Sequence, residues 1–213
     1  MRSVEFINWG QISYTQAWTQ QKELLKQRQE DAIPDLFIFC QHEAVVTVGK
    51  SKEKEGQLKN NLELCPYPVQ HIERGGLATY HGPGQLICYP IVKLASQKES
   101  AFSGVVDLIR KLELALINFL KDHNIQATCQ KGNTGVWVND KRKIASVGVA
   151  VSHWVSYHGL SLNLSTGKEP WKFINPCGFD SAVMTDLEIE SGTKVSFNDA
   201  VSKLTKEFSA FYE

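Results

Sequence analysis

The segment 74–90, with the sequence RGGLATYHGPGQLICYP, constrains the fold more than any other part of the chain. It places four glycines and Pro83 around the pair Tyr80-His81, and apolar residues follow. Glycine adopts backbone conformations that other residues avoid, and it lets a ligand lie directly against the main chain. Its entropic cost makes such a cluster hard to explain as an ordinary helix or strand. The segment therefore predicts a stretch of backbone that contacts a ligand.

Two further glycine-containing segments hold the candidate reactive side chains. Segment 135–148 contains Lys143, and segment 174–179 contains Cys177 between a proline and a glycine. These two neighbours predict a tight turn that would hold the thiol exposed at the end of a strand. Most cysteines, however, are small buried hydrophobic residues. The local sequence leaves both interpretations of Cys177 open.

A catalytic thiol needs a base or a cation beside it, because a cysteine with the ordinary pKa of about 8.5 is only about 3% ionised at pH 7. Six histidines are candidates, and His81 and His158 share the context Tyr-His-Gly, which suggests that they line one pocket.

Lys143 is the other candidate for the base beside the thiol. A lysine at a strand edge is more often an exposed gatekeeper. Lys141 and Arg142 already supply surface charge, however, so Lys143 can point inward, where partial burial would favour its basic, neutral form.

Charge and composition exclude several classes of function. Lysine plus arginine equals aspartate plus glutamate at 23 each, which argues against a broad nucleic-acid or anionic-membrane surface. There is no phosphate-binding glycine loop and no dinucleotide-binding motif. Cys40 and His42 form the only close pair of metal-ligand residues, so we expect no metal and no cofactor. The five scattered cysteines and the absence of an N-terminal secretion signal predict a reduced, cytoplasmic protein.

Hydrophobic patterning predicts one domain over residues 1–213, of the α/β class, with a mixed, largely antiparallel central sheet flanked by helices. Cys40 and Cys88 lie inside apolar runs, which favours the core for both. The polar stretch 50–61 predicts a surface loop. Helices are predicted over 13–31 and 105–120 and from a capping box at Ser196 and Asp199 onward. Strands are predicted over 35–41, 44–48, 127–130, 135–139, 144–151 and 155–164.

Four segments occur together in this chain: RGGLATYHGPGQ at 74–85, GVWV at 135–138 followed by Lys143-Ile144, YHGLSLN at 157–163, and NPCG at 175–178. In these motifs the chain resembles the lipoyl(octanoyl) transferases, which move an octanoyl group from acyl carrier protein to a lysine of lipoate-dependent proteins. The fold of that family is similar to the catalytic fold of biotin and lipoate protein ligases. The chain departs from the family pattern at Glu43, Ala44 and Thr134, where prolines are usual.

The resemblance implies a role for each matching residue. Cys177 would be the nucleophile that forms an acyl thioester, and Lys143 would promote ionisation of its thiol. Octanoyl-acyl carrier protein would be the donor, and lipoyl domains of 2-oxoacid dehydrogenase complexes and the glycine-cleavage H protein would be the acceptors. The donor thioester is already activated, so neither ATP nor a cofactor is needed. The acyl pocket would be lined by Arg74, Gly75, Gly76, Leu77, Ala78, Thr79, Tyr80, His81, Ser146, Val147, Gly148, Gly159, Leu160 and Ser161.

Other functions fit the same motifs. A lipoate or biotin ligase would have the same fold but would require ATP. A binding protein for acyl carrier protein or lipoyl domains would use the pocket without chemistry, although it would need neither Cys177 nor Lys143. A thiol-dependent hydrolase would release free octanoate. Transfer from acyl carrier protein in the absence of nucleotide separates the transferase from the ligase.

Overall fold

Two β-sheets and four α-helices form the structure, a computed structural model that describes residues 3–52, 61–94 and 100–213 except for the side chain of Cys177. Most of the loop predicted over 50–61 lies outside these residues. Short 3-10 helices occur at Leu62–Leu64, Glu169–Phe173, Pro176–Gly178, Ser181–Val183 and Ala210–Tyr212. The strands and helices, in chain order, are β1 (Val4–Gln11), α1 (Tyr14–Gln29), β2 (Asp35–Gln41), β3 (Val45–Val48), β4 (Val69–His71), β5 (Ala78–His81), β6 (Gln85–Ile91), α2 (Val105–Lys121), β7 (Ala127–Gln130), β8 (Asn133–Val138), β9 (Arg142–Ser152), β10 (Val155–Asn163), α3 (Leu187–Ser191) and α4 (Phe197–Ser209).

The central sheet has seven strands in the order β1-β2-β6-β10-β9-β8-β7. β1 and β2 are parallel because the chain returns through α1 between them, and every other pair is antiparallel. A three-residue turn joins β8 to β9, and a two-residue turn joins β9 to β10, with positive φ at Asn139, Asp140, His153 and Trp154. The predicted α/β fold with a mixed, largely antiparallel sheet is confirmed.

A second, three-stranded sheet in the order β4-β3-β5 was not predicted as a separate sheet. β3 pairs parallel with β4 and antiparallel with β5, and Val46 lies opposite Tyr80. β5 belongs to the glycine-rich segment, so the predicted ligand-contacting backbone is partly a strand. This sheet places residues 78–81 beside the larger sheet, where they can line a cavity.

The helices cover the two faces of the central sheet. On one face, α2 and α4 contribute Leu112, Leu116 and Phe208 to a core that also contains Phe37 and Phe39 of β2. On the other face, Ala17 and Leu25 of α1 pack with Leu36, Ile38 and Cys40, the alternate residues of the same strand.

Three local predictions are confirmed by these elements. Cys40 and Cys88 are both fully buried, as their apolar surroundings predicted. Ser196 caps α4 as predicted, because its Oγ accepts a hydrogen bond from Asp199 N at 3.1 Å, and the Asp199 carboxylate accepts from the Ser196 hydroxyl at 2.6 Å. α1 spans Tyr14–Gln29, within the predicted range. Among the helices that the structure describes, none is long and apolar enough to cross a bilayer.

Candidate active site

A cavity of about 370 Å³ lies between β9 and β10, the glycine-rich segment and the turn before β8, within the range typical of small-molecule sites. Small side chains leave the space, since glycine, alanine and serine contribute much of the lining. The lining residues are Tyr14, Ser51, Lys52, Arg74, Gly75, Gly76, Leu77, Ala78, Thr79, His81, Ile87, Tyr89, Ile109, Gly132, Asn133, Thr134, Lys143, Ser146, Val147, Gly148, Val149, His158, Gly159, Leu160 and Ser161.

The structure brings most residues of the proposed acyl pocket together around this cavity, because they fall on β5, β9, β10 and the loop before β5. Tyr80 departs from this arrangement. Side chains alternate along a strand, and the Tyr80 ring lies on the other side of β5, 5.2 Å from the ring of Tyr67 and 5.7 Å from the ring of Trp171. We therefore assign Tyr80 to packing behind the cavity wall. The predicted pocket residues that do line the cavity are Arg74, Gly75, Gly76, Leu77, Ala78, Thr79, His81, Ser146, Val147, Gly148, Gly159, Leu160 and Ser161.

The glycine-rich segment is fastened to both sheets. Gly75 N donates a hydrogen bond to Val149 O of β9 at 3.3 Å. The Arg74 guanidinium is buried and donates to Thr47 O at 2.8 Å and Thr47 Oγ1 at 2.9 Å in the second sheet. It also donates to Gly75 O at 2.9 Å. Arg74 therefore joins the cavity wall to the second sheet.

Two glycines on β9 and β10 allow neighbouring main-chain segments to approach closely at the cavity. Gly159 of β10 lies opposite Gly148 of β9 in the antiparallel ladder. A Cβ atom on Gly159 would lie 1.9 Å from Cys88 O, and one on Gly148 would lie 3.2 Å from Gly75 O. Gly159 also has φ +157°, at the limit of the region that favours glycine. The close approach of strands here depends on the missing side chains.

Lys143 is buried, with only 1% of its surface exposed, so it points inward and is not a surface gatekeeper. Its Nζ donates a hydrogen bond to Thr134 O at 2.8 Å and lies 5.3 Å from the centre of the Trp137 ring. A Cβ atom on Gly135 would lie 2.8 Å from Lys143 Cε, so the glycine makes room for the lysine stem. The hydrogen bond uses the main-chain carbonyl of residue 134, which a proline at that position would also supply.

The segment that carries Cys177 continues into residues that contact Trp137 and Lys143. Residues Pro176–Gly178 form a 3-10 turn that contacts β5, and Phe179 packs edge-on against Trp137 at 5.5 Å. A few residues further on, Thr185 N donates to Lys143 O at 3.0 Å. The segment that follows the turn is therefore tied to the strands that carry Trp137 and Lys143. The side chain of Cys177 itself lies outside the part of the chain that the structure describes.

A cluster of buried aromatic and histidine rings lies at another side of the cavity. His81 Nδ1 is 2.8 Å from Gln85 Oε1, and its ring is stacked 6.1 Å from that of Tyr14. His42 Nε2 is 2.6 Å from the Tyr89 hydroxyl. Burial lowers the pKa of His81 to about 3, so this imidazole is neutral at pH 7, and burial also lowers the pKa of His42. Neutral rings supply hydrogen-bonding groups to the cavity without adding charge.

His158 lines the same cavity as His81, which confirms the pocket expected from their shared sequence context. It adopts φ +60°, and its backbone N–H donates to Gln21 Oε1 at 3.0 Å. Its Nε2 is 3.8 Å from Glu73 Oε2. Burial, followed by the nearby charge of Arg74, lowers the pKa of His158 to about 3.

We expect a His158→Asn variant to depend less on pH for its stability than the parent protein. The unfolded imidazole takes up a proton below about pH 6.5, whereas folded His158 stays neutral down to about pH 3. Folding stability is therefore lost as the pH falls through this window. Asparagine tolerates positive φ, so the backbone is not strained. Urea unfolding should show that the loss in stability between pH 7 and pH 5 is smaller by about 1–2 kcal/mol in the variant. Equal losses would mean that folded His158 protonates normally.

Several lining residues were not identified from the sequence. Tyr14 opens α1, Tyr89 lies on β6 near the end of segment 74–90, and Ile109 is on α2. Asn133 and Thr134 directly precede Gly135, so extending that motif by two residues would have found them. The other three come from elements that the sequence presents as ordinary helix or strand, and only the tertiary structure brings them together.

Metal binding finds no support in the described residues. Within them no group of three or more histidine, cysteine, aspartate or glutamate side chains could hold a metal ion. Cys40 Sγ and His42 Nε2 are 3.7 Å apart, and both side chains are buried. The histidine nitrogens are directed to Ile12 O and the Tyr89 hydroxyl. The pair is therefore part of the polar cluster behind the cavity.

The fold is shared with solved structures of lipoate and biotin protein ligases. A bipartite lipoate protein ligase of Thermoplasma acidophilum superposes with a TM-score of 0.71 at 14% identity, over 100% of this chain and 84% of the other. A biotin protein ligase of Aquifex aeolicus superposes with a TM-score of 0.54 at 13% identity, over 99% of this chain and 69% of the other. At these identities the likeness shows the fold, and it confirms the fold expected from the motifs.

Sequence comparison defines the family. The chain belongs to the lipoyl protein ligase A/B catalytic domain family, whose model matches residues 13–209. An octanoyltransferase of Clostridium kluyveri is 38% identical over 205 residues, covering 95% of this chain and 85% of the relative. An octanoyltransferase of Bdellovibrio bacteriovorus is 35% identical over 219 residues, covering 97% of both chains. The resemblance found in the motifs is confirmed at the level of the family.

Proposed function

We propose that this protein is an acyltransferase that moves an octanoyl group from octanoyl-acyl carrier protein to a lysine of lipoyl domains, through a thioester on Cys177. The observation that carries the proposal is the buried Lys143 amine on the wall of the cavity, with the segment that follows Cys177 hydrogen-bonded to the Lys143 main chain through Thr185 N. The names of the relatives at 35–38% identity support the octanoyl group as cargo. The acceptors would be the lipoyl domains of 2-oxoacid dehydrogenase complexes and the glycine-cleavage H protein.

In the first half of the reaction, Lys143 accepts the proton of the Cys177 thiol, and the thiolate attacks the carbonyl carbon of the donor thioester. A carbon–sulfur bond to Cys177 forms, and the bond to the carrier sulfur breaks. The departing carrier thiolate takes the proton from the Lys143 ammonium. The products are the free carrier thiol, an octanoyl-enzyme and a neutral Lys143 amine. Burial of Lys143 and its hydrogen bond to Thr134 O hold the amine in one place for both proton transfers.

In the second half, the neutral amine of the acceptor lysine attacks the octanoyl carbonyl carbon. An amide bond forms, the bond to Cys177 breaks, and the excess proton on the new amide nitrogen passes to Lys143. Lys143 then returns this proton to the Cys177 thiolate, and both residues regain their starting forms. No metal or nucleotide takes part, since the donor thioester supplies the driving force.

The cavity is suited to a flexible apolar chain with one polar end. Gly148 and Gly159 let the chain lie against the strands, and Leu77, Ile87 and Leu160 supply apolar contacts. Each buried CH₂ group contributes about 0.8 kcal/mol, so the depth of the cavity can select chain length. The neutral polar cluster at His81 and Tyr89 would penalise a longer chain that displaced its hydrogen bonds.

The test is transfer from octanoyl-acyl carrier protein to a purified lipoyl domain with nucleotide absent. We expect octanoylation of the lipoyl domain by the parent protein, none with Cys177→Ser, and none when the target lysine of the acceptor is replaced by arginine. Transfer that requires ATP and free octanoate would identify a ligase. Release of free octanoate without transfer would identify a hydrolase, and donor binding without either reaction would identify a binding protein. Each of these three results would overturn the proposal.

A further inference from the structure

A buried carboxylate lies behind Lys143 on α2. In this helix, which the structure describes throughout, the buried residues are apolar except for Glu113, which is 7% exposed. A carboxylate at such a position is costly unless hydrogen bonds compensate for the lost water. Glu113 Oε1 accepts a hydrogen bond from Gly135 N at 2.7 Å, which joins α2 to the start of β8. The charge is therefore held at one specific peptide group.

That peptide group is the one that holds Lys143. The N–H of Gly135 and the C=O of Thr134 belong to the same peptide plane and point in opposite directions. The N–H donates to Glu113, and the C=O accepts from Lys143 Nζ at 2.8 Å. The chain of contacts thus runs from a carboxylate through one rigid peptide to the amine. Hydrogen bonds in such a chain polarise and strengthen one another.

The conformation of Gly135 makes this arrangement specific. Gly135 has φ +123°, which only glycine adopts without strain, and a Cβ atom there would lie 2.4 Å from Ala145 O. Glycine has more backbone freedom than other residues, so contacts on both sides of the peptide help to hold it in this one conformation. Glu113 also lies near the thiol of Cys129. Burial raises the pKa of this thiol to about 11, and the nearby Glu113 carboxylate contributes to the increase. Cys129 is therefore a neutral thiol at pH 7 and adds no charge to the cluster.

We propose that Glu113 is a positioning residue that fixes the Thr134–Gly135 peptide and, through it, the amine of Lys143. Glu113 does not touch the substrate, since it is not among the residues that line the cavity. Its contribution is geometric: the hydrogen bond from Lys143 Nζ to Thr134 O sets the position of the amine, and Glu113 sets the position of that carbonyl. This role rests on the proposed function, in which Lys143 moves the proton.

The test compares Glu113→Gln, Glu113→Leu and Leu112→Ala. Glutamine keeps an acceptor for Gly135 N, whereas leucine removes it at similar volume. Leu112 is fully buried on the same helix and is outside the cavity, so Leu112→Ala reports the effect of a destabilised α2 alone. We expect Glu113→Leu to slow single-turnover acyl-enzyme formation by about 10²-fold with donor KM changed less than about twofold, the cost of a misplacement near 1 Å. Glu113→Gln should retain the rate within about threefold.

A second readout does not depend on catalysis. In the Glu113→Leu variant, hydrogen exchange at the Gly135 amide and labelling of Lys143 by an amine reagent should both accelerate by about tenfold or more, while Leu112→Ala should leave Lys143 labelling unchanged. Normal labelling and a normal rate in Glu113→Leu would overturn the positioning role. Equal losses of acyl-enzyme formation rate in Glu113→Leu and Leu112→Ala would mean that Glu113 only stabilises α2, which would also overturn the positioning role. If the parent protein forms no acyl-enzyme, the proposed function fails, and the labelling experiment still decides the role of Glu113.

Discussion

A Lys143→Met variant is expected to remain folded and to lose acyl transfer by about 10³-fold, which is typical for removal of a residue that moves a proton in the transition state. Methionine fills the space of the lysine stem beside Trp137 and leaves no buried charge behind. It cannot accept the thiol proton. Lys143→Arg should not restore the rate, because a guanidinium stays protonated in proteins.

The control for this prediction is Lys141→Met. Lys141 is exposed on the turn between β8 and β9, two residues before Lys143 in the chain. It should retain the parent rate within about twofold. Steady-state transfer of octanoate to a lipoyl domain, together with circular dichroism to verify folding, gives the comparison. A folded Lys143→Met protein that retains a tenth or more of the parent rate would remove Lys143 from the proposed chemistry.

A Gly159→Ala variant is expected to lose about 4 kcal/mol of unfolding free energy, enough to unfold a marginally stable domain. The new methyl carbon would lie 1.9 Å from Cys88 O, a main-chain atom of the paired strand β6. A main-chain carbonyl cannot rotate away as a flexible side chain can, so β6 and β10 would have to separate. Both strands are central in the sheet, and the cavity floor would be lost with them.

Gly75→Ala is the matched control for this substitution. Gly75 also lines the cavity, but a Cβ atom there has its nearest neighbour, Val149 O, at an ordinary contact distance of 3.8 Å. The Gly75→Ala substitution should lower the free energy of unfolding by less than about 1 kcal/mol. Urea denaturation of both variants measures the difference. Equal stability of the two would mean that β6 can move away from Gly159 at little cost.

Local patterns predicted the elements whose signals are contained within a few residues. The apolar run at 35–41 matches β2 residue for residue, because that strand is buried on both faces. The helical spacing of apolar residues from Val105 predicted α2 to within one residue. The two glycine-containing motifs around 74–81 and 143–148 correctly indicated residues that share a cavity.

Other elements have no local signal. β4 is three residues long, too short for a periodicity, and it forms only by pairing with β3. β6 contains Pro90, which normally argues against a central strand. β1 is stabilised by parallel pairing with β2 across the intervening helix α1. In each case the partner strand, distant in the chain, determines the structure.

In the site, too, local sequence motifs predicted some residues, and only tertiary contacts reveal the others. The motifs indicated Lys143 and its neighbours, but the alternation of side chains along β5 turns Tyr80 away from the cavity. The backbone pairing between Lys143 and Met184 brings the segment after Cys177 to β9, and no spacing rule predicts it. Glu113 looks like any charged residue of an amphipathic helix, and only its hydrogen bond to Gly135 N reveals a connection to Lys143.

The central claim is a thioester on Cys177, and intact mass spectrometry tests it most directly. The protein is incubated with octanoyl-acyl carrier protein, without nucleotide, and compared with its Cys177→Ser variant. The account predicts that the parent protein gains one octanoyl group that neutral hydroxylamine removes, and that the variant gains no hydroxylamine-labile group. Absence of the adduct on the parent protein, or an equal labile adduct on Cys177→Ser, would contradict the account.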